Sequence, residues 1–173
     1  MAMKTFNANT VLGSADVNEY LVNTKFAIKP NGTTRTGTSP NADPDLSIHV
    51  DASKTYLLDL IVPLQASAAG GLKFNFASTG ANSFYGFWQI QFTQNVTPNQ
   101  SGGTYDGGII NNLGATFSIT ALSGGNLIDT LMVRGWLVTG GSAGNITLQW
   151  SQNSNNGNLT AITGGGMLLR RVS

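Results

Sequence analysis

One serine in this sequence stands in a spacing that could support nucleophilic chemistry. Ser142 is the central residue of GGSAG at positions 140–144, which matches the G-x-S-x-G pattern of a nucleophile elbow. That chemistry needs a turn from a strand into a helix, and a base, for which His49 is the only histidine. Here the motif joins two segments that alternate as strands do. We therefore interpret it as a flexible hairpin turn and predict no catalysis by Ser142.

A metal site would have to use His49 together with nearby aspartates. The chain has no cysteine and only eight acidic residues, so such a site would depend on carboxylates. Asp43, Asp45 and Asp51 are close in sequence, but they lack the spacing and the closing glutamate of an EF-hand loop. We predict that His49 faces solvent from a strand, and that the protein needs no metal and no cofactor.

The aromatic residues could instead stack on sugar rings, as they do in jelly-roll lectins. Trp88 and Trp150 lie on the apolar phase of their strands, and we expect all three tryptophans, Trp136 included, to pack in the core. Tyr85 and Phe87 lie on the other phase of their strand. They are therefore the better candidates for an exposed contact.

The composition predicts one all-β domain. Of the 173 residues, 40% are hydrophobic and 10% are charged, against roughly 25% charged in an ordinary domain. Asn, Thr, Ser, Gln and 22 glycines suit strands and turns. A net charge of +1 offers no basic stripe, so we expect no binding to nucleic acid. We expect no membrane span and no signal peptide, because no apolar run is long enough for either, and hence synthesis in a cytoplasm.

Period-two alternation predicts eight or nine short strands, and we expect an antiparallel jelly-roll-like β-sandwich. Segments 56–64 and 127–138 carry apolar residues on both phases, so the strand at 56–64 is expected to be covered on both sides. Residues 97–114 form a long connection, which is typical of a functional loop or of a hidden short strand. Its candidate contact residues are Tyr105, Ile109 and Ile110.

The N-terminal segment contains the best helix candidate, at residues 14–24, where Ser14 can cap the first turn. The apolar side chains of this segment are Val11, Leu12, Val17, Tyr20 and Leu21. We expect residues 1–28 to form an arm whose apolar side chains dock on a partner, with 29–45 as a loop or linker and 46–173 as the sandwich. The alternative is that the helix covers an open end of its own sandwich.

Segments at both ends of the chain are similar to a known group of proteins. VLGSADVNEYLVN resembles the start of many tailed-bacteriophage virion proteins. YLLDLIVPLQASAAGGLKFNFA, followed downstream by VRGWLVTGGSAGNITLQWSQN and GGGMLLRRV, resembles a recurrent phage module. The chain departs from that module at GGL, where Asp is common, at Asn145, where Thr is common, and at Gly166, where Ser is common.

The resemblance is to structural proteins of the head decoration (cement) or head-fibre β-sandwich type. It implies a protein of the capsid surface, made in the cytoplasm of the host bacterium, often homotrimeric and without enzymatic activity. Its implied partners are the major capsid protein and further copies of itself. The alternatives are a tail- or fibre-associated module that binds host polysaccharide, and an enzyme acting on cell-wall sugars, which would need paired carboxylates in a cleft.

Overall fold

A computed structural model of the chain describes residues 23–66, 70–92, 105–120, 122–123, 127–155 and 160–172. Within these ranges the chain forms twelve strands, and it has no helix of the length and apolarity needed to cross a membrane. The strands are β1 (Thr24–Lys29), β2 (Thr33–Arg35), β3 (Asn41–Val50), β4 (Thr55–Ala66), β5 (Leu72–Ser78), β6 (Ala81–Gln91), β7 (Tyr105–Ile110), β8 (Phe117–Ile119), β9 (Asp129–Thr139), β10 (Gly144–Ser151), β11 (Thr160–Ile162) and β12 (Gly165–Arg171). The expected helix lies outside the described residues except for its last two positions, of which Thr24 begins β1.

Eight of these strands form two antiparallel layers. One layer has the order β3-β10-β5-β8, and the other contains β4-β9-β6-β7. Between β3 and β10 the chain changes sheet at every connection except the one from β6 to β7, which are paired neighbours. This is the strand order of a jelly roll, so the prediction of an antiparallel jelly-roll sandwich is confirmed.

Four more strands extend the second layer beyond β4. β11 and β12 pair with β4, while β2 pairs with β11 and β1 pairs with β12. Ile162 is opposite Leu64 and Gly166 is opposite Ile61, so the chain between β11 and β12 holds one residue more than β4 does. Gly165 accommodates this bulge with a φ of 115°. The resulting sheet, β1-β12-β4-β9-β6-β7, is six strands across, and we call it the wide sheet; the other is the narrow sheet.

Residues 24–45 differ from the arm and loop expected there, because they contain β1, β2 and the first half of β3. The prolines of this region do not prevent strand formation. Pro30 lies between β1 and β2, Pro40 precedes β3, and Pro44 lies in β3, which is the edge strand of the narrow sheet. A missing N–H is tolerated at such an edge.

The segment that contains Ser142 connects the two sheets and does not close a hairpin. β9 belongs to the wide sheet and β10 to the narrow sheet, so the expectation of a hairpin turn at 140–143 was wrong. Ser142 is exposed and is followed by a strand. A jelly roll requires this crossing, because its consecutive strands alternate between layers.

The core lies between the two sheets and is lined by the inward phase of each strand. Trp150 and Phe74 are fully buried, and Trp88 is 7% exposed. The Phe74 ring meets the Trp88 ring edge to face at 5.8 Å and the Phe117 ring at 5.4 Å. Aromatic pairs of this geometry add to the stabilisation that comes from burial. The expected core positions of Trp88 and Trp150 are therefore confirmed.

The alternation of β3 can be tested with two neighbouring substitutions. Ile48 is 4% exposed, whereas His49 points to solvent. We predict that Ile48→Ala lowers the free energy of unfolding by about 2–4 kcal/mol, while His49→Ala changes it by less than about 0.5 kcal/mol. Urea unfolding followed by tryptophan fluorescence measures both. An equal loss for the two variants would contradict this assignment of the two faces.

Candidate interaction surface

The outer face of the wide sheet carries an unusual number of exposed apolar side chains. Ten large apolar residues are exposed in the described part of the chain, and nine of them lie on this face. The nine are Phe26, Ile28, Ile61, Tyr85, Phe87, Ile109, Trp136, Val138 and Leu168. We call them the apolar outer face.

The register of the strands makes this face continuous. One row across the sheet consists of Phe26, Leu168, Asp59, Arg134, Phe87 and Ile109. The next row consists of Ile28, Gly166, Ile61, Met132, Gln89 and Gly107. Directly opposite side chains on one face lie about 4.5–5.5 Å apart, so Phe26 adjoins Leu168 and Phe87 adjoins Ile109, with Asp59 and Arg134 between these two pairs.

Two glycines determine how β6 and β9 meet beneath this face. Gly86 and Gly135 are opposite each other. A Cβ on Gly135 would lie 2.5 Å from the carbonyl oxygen of Tyr85, and a Cβ on Gly86 would lie 2.2 Å from that of Arg134. No side chain fits at such distances, so this close approach requires glycine. The adjacent residues Tyr85 and Trp136 are paired across the two strands and are about half exposed.

Charge is sparse on the apolar outer face. Asp59 and Arg134 form an ion pair near its centre, and Arg170 lies toward one end. A depression of about 210 Å³ adjoins the ion pair, with Ile61 and Phe87 in its walls. The Arg134 side chain is 62% exposed, so solvent screens the pair and it contributes little to stability.

The outer face of the narrow sheet has a different chemistry. It is made chiefly of uncharged polar side chains, among them Ser47, Asn75, Ser118, Thr147 and Gln149. Ser47 and Thr147 are joined by a hydrogen bond of 2.7 Å between their hydroxyl oxygens. The two outer faces of the sandwich are therefore unlike. Exposing the apolar face to water costs more free energy than exposing the polar one.

A buried lysine holds the outermost strand of the wide sheet in place. The Lys29 ammonium is fully buried and donates to Thr33 Oγ1 at 2.7 Å, to Asp43 at 3.1 Å and to Asp45 at 3.0 Å. Trp150 Nε1 donates to the second oxygen of Asp43 at 2.9 Å. This cluster ties β1 and β2 to β3 and β10, which belong to the other sheet.

Arg35 fastens β2 in a similar way. Its guanidinium lies 4.2 Å from the centre of the Trp150 ring and donates to the carbonyl oxygens of Asn41, Ala42 and Trp150. A cation over an indole face is an attractive arrangement. Basic residues that reach the narrow sheet thus hold β1 and β2 in place.

The structure assigns other contacts to the aspartates considered as metal ligands. Asp43 and Asp45 bind Lys29, and Asp51 accepts hydrogen bonds from Lys25 Nζ at 2.8 Å and from the Tyr56 hydroxyl at 2.9 Å. His49 is exposed, as expected. Among the described residues, no three His, Cys, Asp or Glu side chains are grouped so that they could hold a metal ion.

The exposure expected from the aromatic pattern is confirmed for Tyr85 and Phe87, and the contact itself stays a prediction. Tyr85 is 56% and Phe87 is 49% exposed, as expected. Trp136 is 51% exposed, so its expected core position was wrong. The inward phase of β9 at this point belongs to Gly135 and Leu137, which turns Trp136 outward.

The connection at 97–114 contains β7, so its contact residues follow strand alternation. Ile109 is 78% exposed and joins the apolar outer face. Ile110 is 1% exposed and packs in the core, so its expected surface contact was wrong. Tyr105 begins β7 opposite Gln91. The five apolar side chains expected to dock from the arm lie outside the described residues.

Sequence reasoning missed the contribution of β1 to this face. Phe26 and Ile28 are 70% and 62% exposed, and they alternate with Lys25, Ala27 and Lys29, which turn inward. The alternation of TKFAIK was a usable signal. It was overlooked because these residues were assigned to an arm.

Comparisons with known proteins give no close relative. No protein-family model matches the chain, and no curated protein matches it. Among solved structures, the chain is similar to one of infectious bursal disease virus, Gt strain, with a TM-score of 0.20 and 10% identity over 99% of this chain and 45% of that one. A structure of the Gx strain gives a TM-score of 0.20 and 9% identity over 87% and 37% of the two chains. The chain spans less than half the length of either structure, and TM-scores this low carry no argument about fold or function.

The buried cluster makes the stability of the protein sensitive to acid. Burial alone would raise the pKa of Asp43, but hydrogen bonds from Trp150 and Lys29 outweigh it and lower the pKa below its usual value. A carboxylate that is more acidic in the folded state stabilises the fold above its unfolded pKa of about 3.9. That contribution is lost as the pH falls through the folded pKa.

We predict that Asp43→Asn lowers the free energy of unfolding at pH 7 by about 3–5 kcal/mol, because it leaves Lys29 without its buried partner. The variant should also lose less stability than the native chain between about pH 4 and pH 2. Urea unfolding at several pH values measures both effects. Asp106→Asn removes the same charge at an exposed position and serves as the control. The prediction fails if the two variants are equally stable at pH 7.

Proposed function

We propose that this chain is a structural protein of a bacteriophage virion, and more specifically a head decoration protein that binds and stabilises the icosahedral shell as a homotrimer. It is made in the cytoplasm of the host bacterium and resides on the capsid surface. It has no enzymatic activity and needs no metal or cofactor. The observation that carries this proposal is the apolar outer face of the wide sheet.

That face is suited to permanent contact with other protein. The largest apolar patch of an ordinary monomer covers about 300–600 Å², and larger ones mark interaction sites. Here nine exposed large side chains lie on one face of a sheet that is six strands across. With a net charge of +1, electrostatic repulsion does little to keep copies apart. Both features favour a subunit of an assembly over a free enzyme.

The segments that resemble the recurrent phage module coincide with structural elements. The upstream one covers β4 and β5, and the downstream ones cover β9, β10 and β12. Jelly rolls occur in viral capsid domains and also in lectins and cupins, so the fold is compatible with the proposal and does not decide it. The absence of enzymatic activity is supported by Ser142, which precedes a strand, and by the aspartates, which are engaged with lysines.

We assign attachment to the shell to residues 1–22. This segment joins the sandwich at Asn23, next to β1, the outermost strand of the wide sheet. In this proposal its apolar side chains dock on the major capsid protein, and each large one that is fully buried would contribute about 1.5–3 kcal/mol.

Deletion of residues 1–22 tests this assignment and leaves β1 intact. We predict that the truncated protein folds but no longer binds capsids that lack the native protein, as measured by co-sedimentation. Full-length Ser142→Ala is the control and should bind normally. Unchanged binding by the truncated protein would place the contact on the sandwich, and loss of folding would place the segment in the core.

The number of copies in the virion tests the location. A decoration protein is present in many copies distributed over the head, whereas a tail or fibre part is present in few. Quantitative mass spectrometry of purified virions, referenced to the major capsid protein, gives the ratio. A ratio typical of a tail component would reject the decoration role and leave a structural role in the virion.

A second candidate function is binding of host surface polysaccharide by a tail or fibre module. The observation in its favour is the exposed aromatic group of Tyr85, Phe87 and Trp136 on adjacent strands. Aromatic faces are common platforms for sugar rings. The aliphatic side chains around them, such as Ile61 and Leu168, favour contact with protein instead. Loss of polysaccharide binding in Trp136→Ala, with unchanged oligomeric mass, would support this second function.

A further inference from the structure

The apolar outer face has two halves of different composition. The terminal half is formed by β1, β12 and β4 and carries Phe26, Ile28, Ile61 and Leu168. The aromatic half is formed by β9, β6 and β7 and includes Tyr85, Phe87 and Trp136. We infer that the terminal half of one copy packs against the aromatic half of the next copy. This inference rests on the proposed homotrimer and names the surfaces that join its subunits.

The extent of the face fits a second copy of the chain. Aromatic side chains bury about 150–250 Å² each, so four that are about half exposed correspond to roughly 300–500 Å². The aliphatic members bring the whole face close to roughly 800 Å², so each half offers about 400 Å² to one neighbour. The full area is buried only when a subunit contacts two further copies. Six strands at a spacing of about 4.8 Å are also wider than one helix of about 10 Å. The occupant is therefore a broad surface.

The charges on the face favour the same occupant. Asp59 lies in the terminal half and Arg134 in the aromatic half, and the two neutralise each other at the boundary. Such a surface has no net charge that would attract a strongly acidic or strongly basic partner. The outer face of the narrow sheet is polar, so on a second copy the matching broad apolar surface is this same face.

The two unlike halves explain how the assembly closes. A ring of three copies uses two different patches on each subunit, one for each neighbour. The terminal half and the aromatic half supply these patches from one continuous face. In a closed ring every copy buries both halves, so no apolar surface remains to recruit further copies.

The test uses the full-length chain with one charge placed in each half. Phe26→Asp alters the terminal half and Phe87→Asp alters the aromatic half; both positions are about half exposed or more, so the sandwich itself tolerates the change. Asn145→Asp adds the same charge to the outer face of the narrow sheet and is the matched control. Light scattering coupled to size-exclusion chromatography gives the mass, and circular dichroism verifies the fold. Phe26→Ser and Phe87→Ser replace any Asp variant that fails to fold.

We expect the native chain and the control to have the mass of three copies, and each single variant the mass of one copy, a threefold decrease. An equal mixture of the two variants should form complexes of two copies, because each pair retains one intact contact between a terminal and an aromatic half. Such recovery would not occur if like halves packed together.

The other possible results distinguish failure of the homotrimer from failure of the proposed subunit contact and of the decoration role. A native chain with the mass of one or two copies would overturn the homotrimer and this inference with it. Variants that keep the mass of three copies would overturn the inference and leave the homotrimer standing. Dissociation of only one variant, or a mixture that stays monomeric, would reject the pairing of unlike halves. Failure of the native chain to bind capsids would contradict the decoration role and would not affect the subunit contact.

Discussion

The buried ammonium of Lys29 is the interaction on which the shape of the wide sheet depends. A fully buried charge is tolerated only when it is paired and hydrogen-bonded. The three donors of Lys29 are matched by Thr33, Asp43 and Asp45, and Trp150 occupies the second oxygen of Asp43. These partners come from β2, β3 and β10, so the hydrogen bonds of Lys29 connect both sheets at the edge of the sandwich.

This requirement also sets which way β1 faces. A shift of the β1 register by one residue would point Lys29 toward water and leave Asp43 without its cation. It would also point Phe26 and Ile28 inward, into the space that Ala27 and the ion pairs of Lys29 occupy. The cost of an unpaired buried carboxylate excludes that register. The buried pair of Lys29 and Asp43 thus determines that Phe26 and Ile28 point outward, where they complete the terminal half of the apolar outer face.

The sandwich could be predicted because apolar and polar residues alternate clearly in most strands. This alternation can be read from each segment alone, without knowing which strands pair with it. The eight or nine predicted strands are present. β1 was missed because it was assigned to an arm, β2 was missed because the prolines of 29–45 suggested a loop, and β7 was anticipated only as a possible short strand within the 97–114 connection. Trp136 was misplaced because both phases of its strand are apolar, and only the other sheet decides which one faces inward. The pairing of Lys29 with Asp43 links separate strands through tertiary contact, which no spacing rule anticipates.

In the contact proposed between copies, the ion pair between Asp59 and Arg134 would give an apolar surface its selectivity. A purely apolar face adheres to any similar surface, whereas a charge pair within it must be matched or remain hydrated when the face is covered. A partner that covers the pair without offering hydrogen bonds loses more than it gains. A second copy in the correct register can seat its side chains in the depression beside the pair, around Ile61 and Phe87, and leave the charges satisfied by each other. The free energy of the proposed assembly would then come from the apolar side chains, and its geometry from two charges that add little stability of their own.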